Sequence, residues 1–349
     1  RSKGSEIHST YQEAELFLDF SKTSDTLTLF LSQFFVIPEF MHIGILSFRA
    51  LNRRFMYEQR RLSEEAQKRG HEVSMIRFQR CTMFFDGNGK LDIRNGRRKF
   101  PEVDLISPRV SVLTNTQLKI AVIEHLQLMG VPMLNEYNNI LRAKSKLQTL
   151  QVLSHYNIPV VKTAVLSSAQ YLDQAVKYIG QFPIIMKTVY GSYGEGVAIV
   201  ESDRSVKSTY GILSGSLGGK NEILLQEYIA ESNGKDLRLF VVGGEVIASM
   251  ERVAQEGEFR SNVGQGGSGR PYTPSQKEIH LAIRATKAVG LEVAGVDIIQ
   301  TKHGPAIMEV NANPGFEELE EVSKISVAGK IIEYAERFVQ EYLPPEAVL

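Results

Sequence analysis

Ala294-Gly295-Val296-Asp297-Ile298-Ile299-Gln300, then Lys302-His303-Gly304, then Ala306-Ile307-Met308-Glu309-Val310 reads as two β-strands joined by a tight turn. Side chains alternate across a strand, so Glu309 and Asn311 share one face and Asp297, on the other arm, can sit across from them. Three hard oxygen ligands on one side suit Mg²⁺, which keeps several waters and bridges to substrate phosphates. A polar, solvated sheet face would carry the same residues. The apolar neighbours Ile298, Ile307, Met308 and Val310 favour the metal, because buried carboxylates without a counter-ion are costly.

Upstream, residues 183–189 read as a strand entering Gly191-Ser192-Tyr193-Gly194-Glu195-Gly196, and residues 196–201 as its return. Glycines let backbone N–H groups turn towards phosphate oxygens, so this loop is either a phosphate-binding lid or a plain hairpin. Lys187, on the incoming strand, supplies the cation that a phosphate site needs. Gly264-Gln265-Gly266-Gly267-Ser268-Gly269 matches the dinucleotide fingerprint literally, but Arg270-Pro271 blocks the helix that must come next. A loop bordering a cleft is expected there instead. Gln226-Glu227-Tyr228-Ile229 is either a strand end or an edge presented to adenine. Asp236 and Arg238 share a strand face. Arg260, in Arg260-Ser261-Asn262, is either a solvated loop residue or a charge clamp on transferring phosphoryl groups.

Around these motifs the pattern alternates. Strands are expected at residues 42–48, 72–76, 104–107, 131–134, 159–166, 222–229, 237–242 and 245–251. Helices are expected at 53–69, 118–129, 141–156, 168–179, 276–289 and 322–342. Gly243-Gly244 suits a two-residue hairpin turn. Residues 1–40 differ in character from the rest of the chain, and Met41 is expected to open the functional polypeptide, with 1–40 either an added or upstream-translated extension or an amphipathic helix that docks.

Composition narrows the classes. The 349 residues carry 40 Lys+Arg against 40 Asp+Glu, so neither a basic nucleic-acid footprint nor an acidic tail is expected. A chain this long usually splits into two or three domains of roughly 100–150 residues. Cys81 is the single cysteine, which forbids an intrachain disulfide or a cysteine-rich zinc site and fits a reducing, cytoplasmic compartment. The apolar run at 27–37 falls well short of the ~20 residues that cross a bilayer, so no membrane association is expected. No H-E-x-x-H pair or G-x-S-x-G serine is present, so zinc hydrolysis and serine nucleophile chemistry are unsupported.

Taken in order, Lys146, Lys187, the glycine loop, Glu227-Tyr228, Asp297 and Glu309-Val310-Asn311-Ala312-Asn313-Pro314-Gly315 resemble the ATP-grasp superfamily, and within it the RimK-type glutamate ligases. The resemblance runs from Met41 to about Tyr342 and includes Pro108-Arg109-Val110 and Phe259-Arg260-Ser261-Asn262. It implies an α/β and α+β fold in three parts: a Rossmann-like pre-ATP-grasp domain at 41–137, a central lid at 138–226 and a C-terminal ATP-grasp domain at 227–345. It also implies that Lys146, Lys187, Gly191, Ser192, Tyr193, Gly194 and Gly196 contact ATP phosphates, and that Glu227 and Tyr228 frame the adenine. Asp236, Arg260, Ser261 and Asn262 would line the same nucleotide. Asp297, Glu309 and Asn311 would hold Mg²⁺ or Mn²⁺, two ions in all, while Arg260 and Arg238 stabilise the reacting groups. The implied reaction adds L-glutamate to the C-terminus of a protein or peptide, and the implied assembly is a homotetramer. Gly264-Gln265, Val253 and residues 55–59 depart from the RimK pattern where the acceptor would be read. Competing expectations are a ligase acting on a small molecule, a peptide-crosslinking macrocyclase, and a nucleotide-binding module without turnover.

Overall fold

From Phe40 the chain enters β1 (His42–Ser47), α1 (Tyr57–Lys68) and β2 (Glu72–Arg77), then the short strands β3 (Cys81–Phe85), β4 (Leu91–Asn95) and β5 (Arg98–Lys99). β6 (Leu105–Arg109) and α2 (Gln117–Leu128) come next. The structure is a computed structural model and describes residues 40–49, 51–109, 117–189, 196–215, 222–255 and 267–342. Of the expected extension at 1–40, all but Phe40 lies outside that set. β1 runs parallel between β2 and β6, and Ile43 to Ser47 are all buried, as a central strand covered on both faces requires. Gly44 is needed there, since a Cβ would stand 3.0 Å from Ile106 Cγ1. The strand expected at 131–134 amounts to one bridge, Met133 to Ile106, because the chain touches the sheet and leaves. The antiparallel sheet β3-β4-β5 is absent from the sequence-based expectations. Its strands are only two to five residues long, and β3 exposes Phe84 and Phe85 in succession, so no long apolar alternation marks them.

The middle of the chain holds α3 (Tyr137–Lys144), α4 (Lys146–His155), β7 (Thr163–Leu166), α5 (Leu172–Ile179), β8 (Ile184–Thr188), β9 (Val197–Val200), α6 (Asp203–Gly215) and β10 (Ile223–Glu227). A single helix at 141–156 is thus corrected to two. Ser145 between them is extended, and its Oγ accepts the Gln148 N–H at 3.2 Å, capping α4. The strands form an antiparallel sheet in the order β7-β10-β8-β9, with α5 and α6 packed on one face through Leu172, Ile179, Val206 and Tyr210. Ile184, Met186 and Thr188 are buried, so strand alternation turns Lys187 to the other face.

Last come β11 (Lys235–Val242), β12 (Glu245–Val253), β13 (Ser268–Pro271), α7 (Gln276–Val289), β14 (Val293–Thr301), β15 (Gly304–Asn311), α8 (Glu317–Ser323) and α9 (Val327–Glu341). The sheet order is β13-β12-β11-β14-β15, all antiparallel. Gly243 and Gly244 have φ of 56° and 80°, the pair of positive values a two-residue hairpin turn demands. The helix expected over 276–289 is found with those bounds, held by a Ser275–Glu278 capping box and stopped at Gly290 with φ 86°. The helix expected over 322–342 is broken at Lys324, whose φ is 59°, and restarts under a Ser326 cap. Part of the loop expected at 264–269 is strand: Ser268–Pro271 pairs with β12.

One apolar core joins the first and last sheets, through Leu46, Ile106 and Leu126 on one side and Leu239, Val296 and Ala285 on the other. Ion pairs add to this contact, Arg61 Nε to Glu320 at 2.9 Å and Arg69 to Glu336 at 2.6 Å, and the His71 ring hydrogen-bonds Glu336 at 2.8 Å. Among the described residues no helix is long and apolar enough to cross a membrane.

Candidate active site

The middle and last sheets are brought together by a bridge between Val160 and Ile307, with the Ile307 N–H donating to Pro159 O at 2.8 Å. Behind that contact opens a small cleft, continuous with solvent. Its lining includes Lys146 and Thr149 of α4, Lys187 of β8, Gln226 of β10, and Met308 and Glu309 of β15. Both lysines and one of the carboxylates singled out in the sequence therefore converge, the carboxylate from more than a hundred residues beyond either lysine.

The electrostatics of the cleft favour an anion. Burial pushes the Lys187 ammonium down to about 8; Lys146 adds to that push, and Glu309 opposes it. Lys144, the last residue of α3, is also held below its ordinary value, first by burial and then by Arg109 and Lys146, with Glu309 again opposing. A polyphosphate among these amines would offset the repulsion that Lys146 exerts on Lys144 and Lys187. Lys146 moreover opens α4, where the helix dipole disfavours a cation and welcomes an anion. Sequence reasoning passes over Lys144, because a lysine in a helix's last turn reads as ordinary dipole compensation.

Asp297 sits one strand in from Glu309, its register partner across β14 and β15. Its carboxylate is buried and accepts from Arg238 Nε, from Arg238 Nη2 at 2.9 Å and from Arg252 Nη2 at 2.8 Å. Arg252 in turn forks onto Asp236 at 2.6 and 2.9 Å. Burial alone would raise the Asp297 pKa; Arg238 and then Arg252 outweigh it and hold the carboxyl below the usual range. Gly295 makes room for this network, since a Cβ would lie 2.6 Å from Pro314 Cβ and 3.1 Å from Arg238 Nη1. Arg252 escapes the sequence reading entirely. Its clue is strand parity with Asp236 across a hairpin, which needs the register to be known.

Glu309 is exposed, while Asn311 is half-buried and its Oδ1 accepts the Asn313 N–H at 2.9 Å. The Asn313 Oδ1 is buried without a hydrogen-bond partner in the described structure. Among the described residues no three His, Cys, Asp or Glu side chains converge on one point, so a metal would draw on two carboxylates and amide oxygens. That donor set fits Mg²⁺: all its atoms are hard oxygens, an acceptor stands unpaired beside them, and Asp297 keeps one of its roughly four lone-pair positions beyond the three already used.

Glu227 ends β10 and Tyr228 follows it, and both are half-buried. Gly196 has φ 69° and lies so close to Thr188 that a Cβ would meet its Oγ1 at 3.0 Å. Gly191, Ser192, Tyr193 and Gly194, like Arg260, Ser261 and Asn262, lie outside the described residues. Arg109, at the end of β6, donates from Nη2 to Pro314 O at 2.7 Å, tying the first sheet to the loop beyond Asn311.

Residues 41–140 match the RimK PreATP-grasp domain and residues 143–335 the RimK-like ATP-grasp domain. The chain is 39% identical over 282 residues to a protein named probable alpha-L-glutamate ligase from Picosynechococcus sp., covering 81% of this chain and 92% of that one. Among solved structures it shares the fold of a RimK domain ATP-grasp protein from Sphaerobacter thermophilus, with a TM-score of 0.65 and 21% identity over 84% of this chain and 98% of that one. It also shares the fold of the ATP-grasp ligase PsnB, solved with a phosphomimetic variant of its minimal precursor, Mg and ADP, with a TM-score of 0.64 and 18% identity over 86% and 98%. With both domains matched in order and a relative well above 30% identity across most of its length, the chain belongs to the RimK-like family of ATP-grasp ligases.

Proposed function

We propose that the protein is an ATP-dependent carboxylate–amine ligase that adds L-glutamate to the C-terminal carboxylate of a protein or peptide. The observation that carries the proposal is the meeting of Lys146, Lys187 and Glu309 in one cleft. The name of the Picosynechococcus relative supports glutamate, and the Mg, ADP and precursor bound to PsnB support nucleotide, metal and a peptide acceptor.

A carboxylate does not condense with an amine in water until one of its oxygens becomes a leaving group. The acceptor carboxylate attacks the γ-phosphorus of ATP, giving an acyl-phosphate and ADP. The glutamate amine then attacks the carbonyl carbon, the C–O bond to phosphate breaks, and the amine loses a proton as phosphate departs. Lys146 and Lys187 hold the phosphates in place. Asp297, Glu309 and Asn311 would hold two Mg²⁺ or Mn²⁺ ions, which would supply positive charge to offset that of the phosphates. Asp236 and Arg252 keep Asp297 and Arg238 aligned, and Arg238, with Arg260, stabilises charge on the reacting group. Glu227 and Tyr228 frame the adenine, and Gly191 to Gly194 with Ser261 and Asn262 complete the nucleotide site. The division at 41–137, 138–226 and 227–345 is supported by the separate sheets, a homotetramer by the family resemblance, and a reducing, cytoplasmic setting by the lone Cys81.

Incubating peptide acceptors with ATP, Mg²⁺ and glutamate is expected to yield a mass ladder spaced by one glutamyl unit and nothing without glutamate. A product lighter by one water and independent of glutamate would instead establish the crosslinking reaction.

Lys187 gives a pH signature. Its cation is present below about pH 8 and is lost above it, so ATP affinity measured by calorimetry is expected to fall above that pH, by up to about tenfold per unit. Lys187→Arg, charged throughout, should flatten the profile. A wild-type affinity unchanged from about pH 7 to about 9.5 would remove Lys187 from the phosphate site.

A further inference from the structure

We propose that the β3-β4-β5 sheet is a docking surface for an acidic, glutamate-rich peptide segment. Residues 77–99 carry seven Arg and Lys against two Asp, in a chain whose total charge is zero. Arg80, Lys90, Arg94, Arg97, Arg98 and Lys99 are all exposed. Strand register sets Arg94 directly opposite Lys99, a like-charge pair that weakens a sheet unless an anion lies over it. The carboxylates at hand do little to compensate. Asp92 stands 4.0 Å from Arg94 Nε with both side chains more than half exposed, and Asp86 is committed to its turn, accepting the Asn88 and Lys90 N–H groups at 2.8 and 2.9 Å.

The opposite face rests on the core. Ile93 is buried in the main core, Met83 and Cys81 pack against that core, and alternation sends Thr82, Phe84, Asp92, Arg94 and Lys99 outward together. β3 and β5 are the sheet's edges, where an extended chain can add by backbone pairing. The sheet leaves the parallel layer from the end of β2. That is the edge at which β6 ends in Arg109, the residue bonded to Pro314 beside the candidate site.

The occupant is set by charge and by the product. An oligoglutamyl tail carries one carboxylate per residue and grows with each turnover, so this proposal rests on the glutamate ligase reading. RNA fits less well: Phe84, the aromatic ring on the charged face, already has the Arg94 guanidinium 5.3 Å from its centroid, leaving a poor stacking platform.

The test is anisotropy of fluorescein-labelled hexaglutamate with the full-length protein and its Arg94→Gln/Lys99→Gln variant. Loss of two exposed charge contacts is expected to weaken binding about tenfold, with thermal unfolding not lowered because a repulsion is relieved. In the ligation assay the first glutamate should be added at the wild-type rate and the ladder should shorten. Equal hexaglutamate affinity in the two proteins would overturn the proposal. So would tighter binding of an oligouridylate competitor, which would mark a nucleic-acid surface, or a changed sedimentation coefficient in the variant, which would mark a contact between copies. If the wild type binds hexaglutamate through these residues yet ligates no glutamate, the docking surface stands and the ligase reading falls.

Discussion

Glu309→Ala is expected to lower ATP-dependent glutamate ligation by about 10²–10³-fold, the size of effect seen when a group that stabilises transition-state charge is removed. Little stability should be lost with it. Glu309 is exposed at the end of β15, so its removal leaves no cavity and strands no buried donor. It does withdraw the carboxylate that opposes the depression of Lys187 and Lys144, so both lysines should titrate lower still. A steady-state assay with unfolding monitored alongside separates the two effects. Ligation within a factor of two of wild type would sink the metal assignment, whatever the stability.

Arg252→Ala should have the opposite profile, a loss of stability first. Arg252 is 4% exposed and bonds two buried carboxylates at once, Asp236 and Asp297. Removing one partner from a buried ion network typically costs about 3–5 kcal/mol, because the charges left behind are neither solvated nor paired. Urea unfolding should report a loss in that range. Arg252→Lys should recover only part of it, since an ammonium cannot fork onto Asp236 while reaching Asp297. The pH dependence carries a sign. Asp297 has a folded pKa below its unfolded value, so its contribution is full above the ordinary carboxylate range and is lost as pH falls through the folded value. Without Arg252 the folded pKa rises, and acid unfolding should begin at higher pH. A variant as stable as wild type, with the same acid limb, would mean that the network is neutral to folding.

Much of the architecture is legible in the sequence because it is local. The hairpin at Gly243-Gly244, helix 276–289 with its Ser275 cap, and the strands around Asp297 and Glu309 arise from turn chemistry and side-chain period. The misses share a cause. Ser145 and Lys324 break helices whose apolar spacing reads as continuous, and β3 to β5 hide because strands of two to five residues have no long alternation.

Residue order was enough to specify which side-chain types share a strand face and which family's motifs occur in succession: Glu309 beside Asn311, Lys187 ahead of a glycine loop. It took the folded arrangement to gather Lys144 with Lys146 and Lys187 around Glu309, and to hold Asp297 between Arg238 and Arg252. Period and turn chemistry act over a few residues, whereas burial and Coulomb interaction depend on distances across sheets, which cross-strand register and core packing set.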